Sequence, residues 1–346
     1  MSTPDVIDSA AVTAALSGIA DPESGRSLVD MGQVRSVEAS PASIAVQVGL
    51  TSHAAVLWNQ TRGRIEELVR ARFPTVPRVS VEIVPHDRPP AKLGQIGLAA
   101  KSVIAVGSGK GGVGKSTIAA SIAIGLARAG SRVGLLDADV YGPSVPHLLG
   151  LSGRPQIESG KIVPMFLPVG PHPMPVMSMG FLVPAGEAVV WRGPMLHGAI
   201  TQMLRDTSWG PLDYLIIDMP PGTGDIALTL SQVLPLTGAV VVCTPQDVAL
   251  LDAMKAIAMF RKVNIPLLGM VENMSFFVCP DTQKRYDIFG TGGAQRAAKD
   301  FDIPFLGEVP IQIPIREHGD AGRTAANFDD PAARPYLEAI CTRLVS

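Results

Sequence analysis

The chain has 346 residues, 47% hydrophobic and 17% charged, with a net charge of −2. That balance excludes a disordered chain and a strongly basic nucleic-acid binder, and the length allows one large domain with a smaller companion. No apolar run reaches the roughly 18 residues of a membrane span, the acidic stretch 1–20 lacks a basic signal region, and three widely spaced cysteines form no disulfide framework, so a cytoplasmic protein without a membrane partner is expected.

Residues 1–85 read as a small α/β unit. Residues 10–18 predict a helix, 33–38 and 43–50 alternate like paired strands, 56–73 carry apolar residues at helical spacing, and 79–84 alternate again. The stretch 86–100, opened by His86-Asp87-Arg88-Pro89-Pro90, reads as a linker.

From 101 to 346, apolar strand-like runs at 103–106, 133–136, 214–217, 239–243, 267–271 and 305–306 alternate with helical stretches. Near-continuous apolar strands suit a sheet covered on both faces. The fold class expected is therefore α/β: a doubly wound, mostly parallel sheet with its ligand at the carboxyl ends of the strands, preceded by the small α/β domain. Residues 151–186, rich in Pro, Gly and Met, read as an irregular insertion.

The run Gly109-Lys110-Gly111-Gly112-Val113-Gly114-Lys115-Ser116 fits the phosphate-binding loop, between an apolar strand and a helix. Its glycines let consecutive backbone N–H groups turn inward onto an anion, and the helix N-terminus adds its dipole. Lys115 would meet the β- and γ-phosphates and Ser116 a Mg²⁺ ion; Thr117 follows in the helix. An ordinary loop of this kind does not need the second lysine, Lys110.

Asp137 and Asp139 end the next strand, where carboxylates can orient an attacking water. Asp218 follows four apolar residues in the manner of a Walker B carboxylate for Mg²⁺, and Pro220-Pro221-Gly222 forms a stiff loop behind it. Asp225 suits either the site or a helix cap. Asn273 offers a donor and an acceptor for an adenine edge.

The loop with Lys110 resembles the deviant phosphate loop of the MinD, ParA and nitrogenase-iron-protein class. Together with D-A-D-V-Y-G-P-S at 137–144, W-R-G-P-M at 191–195, D-M-P-P-G-T-G-D at 218–225, V-E-N-M-S-F-F-V-C-P at 271–280 and I-R-E-H-G-D-A-G at 315–322, the chain resembles the Mrp/ApbC family of iron–sulfur cluster carriers. The resemblance implies a homodimer closing across ATP with Lys110 acting in trans, hydrolysis served by Lys110, Lys115, Asp137 and Asp139, and cluster transfer to apoprotein recipients. It also implies a [4Fe–4S] cluster held by C-P-x-C pairs of two subunits.

Here that segment is Cys279-Pro280-Asp281-Thr282, and the small domain has His53 where relatives often carry a cysteine after Leu-Thr. Threonine is a poor substitute for a soft thiolate, so Cys279 alone would serve the iron–sulfur group. Two alternatives stay open: an ATP-dependent scaffold or regulator without a cluster, and a spatial organiser of the MinD/ParA type. The tail 335–346, with one Arg and one Glu, lacks the basic face the latter needs.

Overall fold

The structure is a computed structural model that describes residues 7–140, 142–182, 193–222 and 224–346, without the side chains of residues 193, 194 and 225. The chain divides into two compact units, Met1–Pro89 with Val345–Ser346, and Pro90–Leu344.

The first unit runs α1 (Ser9–Ala15), β1 (Val34–Ala39), β2 (Ser43–Leu50), α2 (Trp58–Arg72) and β3 (Arg78–Pro85). Asp8 caps α1, its carboxylate accepting from the Ala11 N–H at 2.7 Å. β2 pairs antiparallel with β1 and parallel with β3. The alternation of β2 and β3 puts Ile44, Val46, Val48, Val79, Val81 and Ile83 into one core with Ile65 and Val69 of α2. Period-2 strands and a period-3.6 helix bury their apolar faces in each other.

The second unit begins with a hairpin of β4 (Lys92–Leu93) and β5 (Leu98–Gly107). Within the stretch 86–100 expected as linker, Lys92 and Leu93 thus already pair with Ala99 and Leu98. Then come α3 (Lys115–Ala129), β6 (Val133–Asp137), α4 (Val145–Leu149), β7 (Gln156–Glu158), β8 (Lys161–Val163), β9 (Met165–Leu167) and β10 (Met174–Ser178). After these follow α5 (Gly193–Asp206), β11 (Leu212–Asp218), α6 (Gly224–Val233), β12 (Gly238–Cys243), α7 (Asp247–Lys262), β13 (Leu267–Val278), β14 (Arg285–Tyr286), α8 (Gly293–Asp300), β15 (Phe305–Ile311), α9 (Ile313–Asp320) and α10 (Arg334–Val345).

Among the described residues the sheet has ten strands, in the order β14-β13-β12-β5-β11-β6-β10-β9, with β15 on β13 and β4 on β5. The pairs from β13 through β10 are parallel, as is β13 with β15; β14, β9 and β4 pair antiparallel at the margins. β6, β11 and β12 are buried along their whole length, as parallel strands covered on both faces must be. The chain leaves β5 toward β6 on one side and later returns to β12 on the other. That reversal opens a crevice at the carboxyl ends of β5, β6 and β11.

The stretch expected as an irregular insertion is more ordered than its composition suggests. β7 and β8 form a hairpin, and β10 joins the sheet parallel to β6. Met174, Val176 and Met177 are buried there and Met179 just beyond, so these methionines are core filling.

Candidate functional site

β5 delivers the chain into the crevice at Gly107, and the loop 108–114 turns into α3 at Lys115. Gly112 and Gly114 have φ of +81° and +79°, a region open to glycine at little cost. A methyl on Gly114 would collide with the Asn273 amide nitrogen, and one on Gly109 with the Asp252 backbone of α7. The Ser108 hydroxyl donates to the Lys110 carbonyl at 2.9 Å, fixing the backbone that presents the half-buried Lys110 side chain.

Lys115 is folded inward, with 6% of its side chain exposed. Its Nζ lies 2.5 Å from Asp218 Oδ1, 3.2 Å from Ser116 Oγ and 3.7 Å from Asp139 Oδ2. Burial raises the Asp218 carboxyl above its ordinary value, against the pull of the Lys115 ammonium and the Ser116 hydroxyl. Among the described residues Asp218 Oδ2 is buried with no hydrogen-bond partner of its own. An orphaned carboxylate oxygen beside a serine hydroxyl is a hard-oxygen donor set that fits Mg²⁺.

Asp137 is completely buried, and both of its carboxylate oxygens are hydrogen-bonded. Oδ1 accepts from the Asp139 N–H at 3.1 Å, and Oδ2 accepts from the Val145 N–H at 3.2 Å and the Ser178 hydroxyl at 2.9 Å. Burial and the neighbouring Asp218 push its carboxyl up to about 7. Asp137 thus ties β6, α4 and β10 together and holds Asp139, whose Oδ1 accepts from the Gly142 N–H at 3.3 Å. Ser178 was absent from the sequence reading; only the pairing of β10 on β6 brings it here.

The Pro220-Pro221-Gly222 turn lies against the phosphate loop. Met219 N–H donates to the Val106 carbonyl and Gly222 N–H to the Ser108 carbonyl, each at 3.0 Å. Thr223, Tyr141, Trp191, Arg192 and the Asp225 side chain lie outside the described residues.

Asn273 Nδ2 donates to the Val113 carbonyl at 2.9 Å. The residue also lines a cavity of about 380 Å³ with Gly114, Thr117, Ile311, Ile315 and Arg316. The far wall, from β15 and α9, was not assigned from sequence. No local pattern marks it; pairing of β15 on β13 creates it.

Cys279 lies outside this cluster, where β13 enters a hairpin with β14. Its N–H donates to the Lys284 carbonyl at 3.0 Å, and its carbonyl accepts from the Gln283 N–H at 2.8 Å. The Thr282 hydroxyl, with the backbone N–H groups of Thr282 and Asp281, holds the thiol below its ordinary value. Cys243 and Cys341 are buried and pushed up to about 12 by that burial. Among the described residues no three His, Cys, Asp or Glu side chains converge as a metal site.

A family model described as NUBPL iron-transfer P-loop NTPase matches residues 99–345, and a model described as iron-sulfur cluster assembly protein matches residues 9–83. The chain belongs to the NUBPL iron-transfer P-loop NTPase family. Within this family it is 49% identical to an iron-sulfur cluster carrier protein of Deinococcus radiodurans, over 91% of this chain and 88% of that one. It is also 49% identical to the iron-sulfur cluster transfer protein NUBPL of Dictyostelium discoideum, over 69% of this chain and 74% of that one. A nucleotide-binding protein of Archaeoglobus fulgidus, solved with ADP, aligns with a TM-score of 0.59 and 40% identity over 68% of this chain and 90% of that one. The Pyrococcus furiosus cell division ATPase MinD shares the fold, with a TM-score of 0.52 and 20% identity over 70% of this chain and 98% of that one. Among the described residues no helix is long and apolar enough to cross a membrane.

Proposed function

We propose that this chain is an ATP-hydrolysing carrier that closes as a homodimer across nucleotide and passes iron–sulfur clusters to apoproteins. The observation that carries the reading is the convergence of Lys115, Ser116, Asp139 and Asp218 on one phosphate loop. The phosphates would lie against the N–H groups of residues 109–116. Lys115 would leave Asp218 for the β- and γ-phosphates, trading one anionic partner for another. The adenine would enter the cavity beside Asn273, whose amide oxygen accepts from its amino group.

Ser116 and Asp218 would hold Mg²⁺, which neutralises phosphate charge when bound. Asp139 orients the water that attacks the γ-phosphorus while the bond to the β-phosphate oxygen breaks. Asp137 positions Asp139 through its backbone N–H. Lys110 reaches the partner's nucleotide, and loss of the γ-phosphate releases the Pro220–Gly222 turn and reopens the dimer.

The cluster is cargo, bound where two copies bring their Cys279 thiolates together. A second reading, an ATP-driven switch without cargo, is favoured by Thr282, which stands where a second thiolate would be needed. Anaerobic reconstitution with iron and sulfide, measured per dimer beside Cys279→Ala, separates the two. A cluster that disappears in the variant supports the carrier. ATP turnover with no cluster in either protein leaves the switch.

A further inference from the structure

Strand β13 carries both ends of a connection. At Asn273 it touches the phosphate loop through the Val113 carbonyl, with no room for a methyl on Gly114 between them. At its far end it enters the Cys279 hairpin. The two residues are six apart, about 20 Å of extended chain.

The strand is not uniform between them. Met274 has φ of +54°, a left-handed conformation that a side-chain-bearing residue keeps only where its surroundings hold it. The register against β15 breaks between Asn273 and Phe277. Such a break redirects the strand beyond it.

At the break itself and on both sides of it the strand is fastened at several points. The Ser275 hydroxyl donates to Glu272 at 2.6 Å and lies 3.1 Å from a Glu308 oxygen. The other Glu272 oxygen accepts from the Ala294 N–H at 2.7 Å and so fixes the first turn of α8. The Arg285 guanidinium of β14 lies 3.8 Å over the Phe276 ring, and Phe277 and Val278 pair with Tyr286 and Arg285. Asn273 and the hairpin are thus joined by one run of strand, through the Phe276–Arg285 stacking and the pairing of Phe277 and Val278 with β14.

We infer that the Met274 break is a positioning element that couples occupancy of the phosphate loop to the presentation of Cys279. Nucleotide reorganises Val113 and Gly114, Asn273 follows, and the segment held by Ser275 turns the hairpin. The inference rests on the nucleotide reading above and is independent of whether a cluster is carried.

The test is the rate at which iodoacetamide alkylates Cys279 in the full chain, without nucleotide, with ADP, and with a non-hydrolysable ATP analogue. Cys243 and Cys341 are buried, so the modified peptide reports Cys279. Nucleotide binding is titrated in the same samples. The wild-type rates are expected to differ by about fivefold or more between free and saturated protein, and to fall within about twofold of each other in Ser275→Ala, which still binds nucleotide. Asn273→Ala, compared at its own saturating concentration, should lose the difference as well. Wild-type protein that binds nucleotide with an unchanged alkylation rate overturns the coupling, as does a full difference retained by Ser275→Ala. Wild-type protein that binds no nucleotide defeats the nucleotide reading itself, and the coupling with it.

Discussion

Lys115 Nζ and Asp218 Oδ1 stand 2.5 Å apart, the lysine at the start of α3 and the aspartate at the tip of β11. Both are buried, so each is the condition for the other to be charged there. The lysine that should meet phosphate is stored on the carboxylate that should meet the metal.

Removing the lysine tests this pairing. Lys115→Ala leaves Asp218 buried beside Asp137 without a cation. The expected cost is about 3 kcal/mol in urea unfolding, partly relieved at low pH as Asp218 takes up a proton. ATP hydrolysis should fall to background. A variant as stable as wild type that still turns over ATP would show that neither role belongs to Lys115.

Asp137 carries a pH signature. Its carboxyl is pushed from 3.8 up to about 7, so the folded chain keeps a proton that the unfolded chain has released. The resulting stabilisation is complete below 3.8 and is lost as pH rises through about 7, at up to about 1.4 kcal/mol per pH unit. Asp137→Asn should flatten that part of the stability curve, whatever it costs in absolute stability by setting an amide N–H₂ against one of the three donors. Parallel wild-type and variant curves between pH 4 and 7, by urea titration at about half-unit steps, would contradict this.

What could be read in advance was local. The phosphate loop, its strand and its helix lie within 98–129, so their pattern needs no distant partner. The small unit was legible for the same reason: β2 and β3 alternate and α2 has its own apolar stripe. β10 was not legible, because its buried Met174, Val176 and Met177 match a strand only once β6 offers an edge. Asp137 was read at the end of its strand, where it lies, but its hydrogen-bond partners were not. Its donors Val145 and Ser178 are 8 and 41 residues away, and nothing local announces them.

Gly114 should tolerate no side chain. Its φ of +79° disfavours one, and the Asn273 amide occupies the space a methyl would need. Gly114→Ala should cost about 1–3 kcal/mol and weaken nucleotide binding, because relief requires Asn273 to leave Val113. Gly112→Ala is the control: its φ is +81°, yet nothing crowds a methyl there, so it should bear the backbone strain alone. Equal losses of nucleotide affinity in the two variants would mean that the Asn273 contact does not matter.

Thr282→Cys should strengthen cluster retention. Thr282 stands three residues after Cys279 in the same turn and its hydroxyl helps hold the thiol below its ordinary value, so a thiolate at 282 would start close to the same ligand. The turn would not need rebuilding, since its shape is fixed by Cys279 N–H to Lys284 and Gln283 N–H to Cys279, and neither contact uses the 282 side chain. A dimer of the variant offers four soft ligands where wild type offers two, which is the number an all-thiolate cluster takes. Iron and sulfide per dimer, measured after reconstitution and a timed chelator challenge, should therefore be higher in Thr282→Cys and should fall to background in the double variant Cys279→Ala/Thr282→Cys. Should the added thiolate leave iron retention unchanged, position 282 does not reach the cargo, and the four-thiolate arrangement across the dimer would have to be abandoned.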